Sequence, residues 1–90
     1  MKLSMFTNKA DRAAWAKREA ELIRANGLAS ALREYADALA GKGKAEWLAL
    51  NAIPADCSEK YWEEHIDYIK WHVNFLEKEV RKLDRIAADI

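Results

Sequence analysis

Residues 61–90 read YWEEHIDYIKWHVNFLEKEVRKLDRIAADI, and they carry two heptad ladders side by side. The first is Trp62, Ile66, Ile69, Val73, Leu76, Val80, Leu83, Ala87 and Ile90, spaced alternately four and three residues apart. With Ile66, Val73, Val80 and Ala87 at a and the others at d, the ladder lasts about four heptads, the length at which a coiled coil is read from sequence. β-branched residues at a with mainly Leu and Ile at d suit a two-stranded pairing. The ladder therefore predicts a homodimer seam at Ile69, Val73, Leu76, Val80, Leu83, Ala87 and Ile90. A parallel pair would set Glu79 against Asp84 of the second chain, so antiparallel pairing is favoured. The same pattern also serves a helix packed inside its own chain's bundle.

The second ladder is Tyr61, His65, Tyr68, His72 and Phe75, and it turns polar at Glu79 and Lys82. It lies beside the d positions, so the two ladders form one apolar arc about 160° wide, enough for two neighbours. The expectation is that residues 61–76 sit inside a bundle, whereas 77–90 touch one partner helix. Trp71 fits neither ladder and neighbours Tyr68 and Phe75 at helical spacing. Exposed tryptophans are few and concentrate at binding hot spots. Tyr68, Trp71 and Phe75 are thus the candidate partner-binding patch, unless another part of the chain covers Trp71.

Upstream, Asn8 with Asp11 three residues on resembles a capping box, and Thr7 is a second candidate cap. Leu3, Met5 and Phe6 of the lead are apolar enough to dock on a core. A first helix is predicted over about 8–25, with Arg24 in its last turn and Asn26-Gly27 as the stop, because Gly adopts the left-handed C′ conformation without strain. A second over about 28–40 has the stripe Leu28, Leu32, Tyr35, Ala36, Leu39 and ends at GKGK, 41–44. A short third, about 45–52, carries Trp47, Leu48 and Leu50 and closes before Pro54. Asp56 and Ser58 are candidate caps for the last helix, about 58–88, which at 1.5 Å per residue is roughly 45 Å long and should project or lie along a partner. The reading is all-α: one domain, 1–90, built as a small helical bundle of three shorter helices and one long C-terminal helix.

Composition agrees. Of 90 residues, 51% are hydrophobic and 33% charged, with one Pro and three Gly, too much apolar material for a disordered chain. A chain this short is marginal alone and gains from association. Net charge is zero, but residues 1–44 hold nine Lys/Arg against five Asp/Glu and 45–90 hold six against ten, a split of +4 and −4. Cys57 is the sole cysteine, which rules out an intramolecular disulfide and fits a reducing compartment. No run reaches the roughly 18 apolar residues of a membrane span, and the first residues lack a signal-peptide core. A soluble cytoplasmic protein is the expectation.

Catalytic chemistry is not in view. His65 and His72 stand seven apart, about 10.5 Å along a helix, too far to chelate one ion, and read as core or interface residues. Cys57 has no sequence-local base, and GKGK lacks the spacing and preceding strand of a phosphate loop. No cofactor or metal is expected, nor an enzyme. What remains is a protein-binding module: a small helical homodimer presenting an aromatic or acidic face to a larger protein, as adaptors and inhibitors do. By size and class alone, a phage or mobile element is the kind of genome that encodes such an inhibitor. The alternative is a dimeric nucleic-acid binder in which the first two helices form a loose helix-turn-helix and Lys9, Arg12, Lys17, Arg18, Arg24 and Arg33 contact phosphates. Against it, the second helix begins Leu-Ala-Ser-Ala-Leu-Arg, a poor set of base readers.

Overall fold

The computed structural model describes residues 8–88, and among these every regular element is helical. The order is α1 (Lys9–Leu22), a π-helical segment (Ile23–Leu28), α2 (Ala29–Leu39), α3 (Lys44–Leu50), a 3-10 turn (Ala55–Cys57) and α4 (Ser58–Ala87). The all-α bundle read from the sequence is the architecture observed. The proposed docking of Leu3, Met5 and Phe6, the Thr7 cap and the last seam residue, Ile90, lie outside the described residues.

Asn8 caps α1 as its spacing suggests. Its backbone is extended, its side-chain Oδ1 accepts from the Asp11 N–H at 2.8 Å, and its Nδ2 donates to Asp11 Oδ2 at 3.1 Å. The predicted stop at Asn26-Gly27 is not realised. Helical structure continues from α1 into α2 through the π segment, and positive φ among the glycines is confined to Gly41 and Gly43. A glycine inside a helix costs only about 1 kcal/mol relative to alanine, a penalty that tertiary packing readily outweighs. That packing is present: a Cβ at Gly27 would stand 3.8 Å from Leu76 Cδ1 on α4.

Real left-handed stops follow α2 and α3. Gly41, at φ 77°, ends α2 in a Schellman arrangement: Lys42 N–H reaches Asp37 O at 2.9 Å and Gly41 N–H reaches Ala38 O at 3.0 Å. α3 ends the same way, with Ile53 N–H on Leu48 O at 3.0 Å and Ala52 N–H on Ala49 O at 3.2 Å, but here alanine holds the left-handed position, at φ 52°. The caps expected for α4 take another form. Asp56 sits in the 3-10 turn, and the Ser58 hydroxyl donates backward to Ala55 O at 3.0 Å.

The chain forms two compact units. The first joins 8–29 to the 75–88 end, and the second is 30–74. In the first, α1 turns Ala13, Ala16 and Ala20 inward and α4 contributes Val80. Alanines three and four apart lie on one helix face and let a neighbouring helix approach closely. Arg24 pairs with Asp84 across this unit. In the second, Ala38, Trp62 and Ile69 form the core cluster, with Tyr35, Trp47 and Ile66 packed against it and Ala31 and Val73 also buried. Lys44 pairs with Glu59 there.

Candidate protein-binding face on the last helix

In the second unit α4 buries only one of its two ladders. Trp62, Ile69 and Val73 point inward, at 6%, 3% and 5% exposure. The second ladder was expected inside a bundle, but Tyr61, Tyr68 and His72 are exposed and only His65 is half-buried. Ala38 of α2 packs on Trp62 and Ile69 of the first ladder, and Trp47 of α3 meets the second ladder at His65. Trp47 of α3 stacks on the His65 ring (centroids 4.5 Å apart, planes at 27°) and meets Trp62 edge-on at 5.5 Å. Trp62 and His65 lie 5.2 Å apart, which closes a three-ring cluster. The sequence reading named each of these residues without connecting them.

Beyond that cluster the outer side of α4 is aromatic. Tyr68 is 66% exposed and Trp71 60%, and their rings stack with centroids 6.3 Å apart and planes at 26°. Tyr61 continues the stripe one turn pair earlier, and at ~100° per residue Tyr61, Glu64, Tyr68 and Trp71 share one side of the helix. Nothing in the second unit covers Trp71 to the extent of burying it. Phe75, the third residue of the predicted patch, is also exposed but belongs to the first unit.

The predicted dimer seam is placed differently. Ile69, Val73 and Val80 are already buried within the single chain, and Leu76, Leu83 and Ala87 are half-buried. The half-buried positions keep part of their surface exposed in the single chain.

The turn expected at Asn26-Gly27 between the first two helices is helical. Lys9, Lys17 and Arg18 are exposed on α1, Arg12 is half-buried, and Arg24 is engaged with Asp84. Arg33 belongs to the second unit, on the rim of a cleft of about 380 Å³ whose other walls include Glu34, Asp37, Trp47, Trp62 and His65. Asp37 is paired with Lys42 at 3.6 Å, and the indole and imidazole faces are spent on one another. The Arg24–Asp84 and Lys44–Glu59 pairs each join the basic half of the sequence to the acidic half, which gives the charge split an internal use.

Cys57 is half-buried at the end of the 3-10 turn. Among the described residues no group of three His, Cys, Asp or Glu side chains is placed to hold a metal ion, and no helix is long and apolar enough to cross a membrane. No protein-family model, curated protein or solved structure matches the chain.

Proposed function

We propose that this chain is a non-enzymatic protein-binding module that engages a larger protein through the outer side of α4, in the manner of an adaptor or inhibitor. One observation carries the reading: a stacked Tyr68–Trp71 pair, 66% and 60% exposed, on a helix that buries Trp62 and Ile69 in the core of the second unit. Holding two large aromatics in water forfeits apolar burial worth roughly 1.5–3 kcal/mol per side chain, a cost a binding partner removes. Aromatic residues presented on an ordered element are the usual anchors of protein interfaces. The lone Cys57 suits a reducing, cytoplasmic setting.

The test is capture of partners from an extract of the native cell by the tagged chain and by its Tyr68→Ala/Trp71→Ala variant. Both positions are exposed, so the variant is expected to keep its helical circular dichroism and melting temperature while losing the captured protein. A variant that captures the same proteins as the parent removes the face from consideration. A variant that unfolds places these rings in the core.

A further inference from the structure

We infer that the partner surface taken by this face is cationic as well as apolar: a helix or peptide whose Lys or Arg side chains alternate with aliphatic ones. This deepens the proposal above and rests on it. Glu64 lies in the aromatic stripe itself, between Tyr61 and Tyr68, and Asp67 stands one helical turn before Trp71. Both carboxylates are exposed. Over 58–74 there are four acidic residues (Glu59, Glu63, Glu64, Asp67) against two lysines (Lys60, Lys70), with Glu59 already engaged by Lys44.

Aromatic faces and carboxylates on one helix side make the chemistry that receives guanidinium and ammonium groups. The ring quadrupole attracts a cation within ~6 Å of its centre, and a carboxylate accepts its hydrogen bonds. The aliphatic part of the partner covers the tyrosine and tryptophan edges, while its charges meet Glu64 and Asp67.

The experiment uses the full chain and two synthetic amphipathic helical peptides of equal length and leucine pattern, one with Lys/Arg on the flanks and one with Glu. Fluorescence polarisation of the labelled peptides is read at low and at physiological salt, with light scattering of the chain alone beside it. The expected result is binding of the cationic peptide that weakens with salt, falls about tenfold in Trp71→Ala and severalfold in Glu64→Gln/Asp67→Asn, and no binding of the acidic peptide. Equal binding of both peptides, no binding of either, or indifference to these substitutions overturns the inference. So does a dimer that Trp71→Ala converts to monomer, because the occupant is then a second copy. A natural partner that is lost in Tyr68→Ala/Trp71→Ala but held equally by Glu64→Gln/Asp67→Asn leaves the protein-binding reading standing and removes the cationic one.

Discussion

Gly27 shows how one residue's signal yields to its surroundings. Asn-Gly is a strong stop by itself, yet Gly27 takes no positive φ, and a β-carbon there would meet Leu76 at an ordinary contact distance. Gly27→Ala is therefore expected to stabilise the protein by about 0.5–1 kcal/mol, by lowering the entropy of the unfolded chain and raising helix propensity. Urea denaturation at unchanged m-value measures it; a loss of stability would mean that Gly27 does occupy a left-handed turn. Ala52 is the converse case. It holds a left-handed C′ position, which costs an L-residue roughly 1–2 kcal/mol, while glycine gives back about 0.5–1 in entropy. Ala52→Gly should thus gain up to about 1 kcal/mol, read as a rise of several degrees in Tm. No sequence signal marked Ala52 as strained, because nothing about alanine requests that conformation.

At the scale of the element, α1 is held by alanines rather than by large side chains. Ala16 is 0% exposed, so there is no room beside it, and Ala16→Leu is expected to cost about 1–3 kcal/mol through overpacking. The same change at exposed Ala14 should stay within about 0.5 kcal/mol, and comparing their urea midpoints separates packing from propensity. The exposed pair of Arg24, in the π-helical segment that follows α1, with Asp84 contributes at most about 1 kcal/mol. For α3 the anchor is Trp47 on His65 and Trp62. Trp47→Ala is expected to release this short helix, with faster amide hydrogen exchange over 44–50 while the α4 core amides stay protected. The Ala13–Ala16–Ala20 spacing was present in the sequence, but alanine is the commonest helix former, so its period does not announce burial as that of leucine does.

For the molecule as a whole the core is thin. Five of the nine buried hydrophobic residues among those described are alanines, and no large side chain there is fully buried. Stability near the lower end of the usual range, about 5 kcal/mol, is expected, rising when a partner binds the native state. Ile69, Val73 and Val80 of the heptad seam that suggested a homodimer are already buried in the single chain. Light scattering at micromolar concentration is accordingly expected to give the mass of one chain, 10.3 kDa. Twice that mass would show that one of the exposed apolar faces pairs with itself.

The sequence by itself determined that the chain is helical: the start at Asn8, the stop at Gly41 and the inward line Trp62, Ile69, Val73, Val80 on α4 follow from periodicity, a glycine stop and a cap, whereas the break expected at Asn26-Gly27 is not realised. These signals are local, set by backbone sterics and a 3.6-residue period that any neighbour must respect. Tertiary structure alone decided what covers each face. Whether the a/d line meets a second chain or its own, whether Gly27 bends or continues, and whether Tyr68 and Trp71 are enclosed all depend on which helix arrives opposite and how small its side chains are. Periodicity specifies a stripe, and only packing says what lies against it.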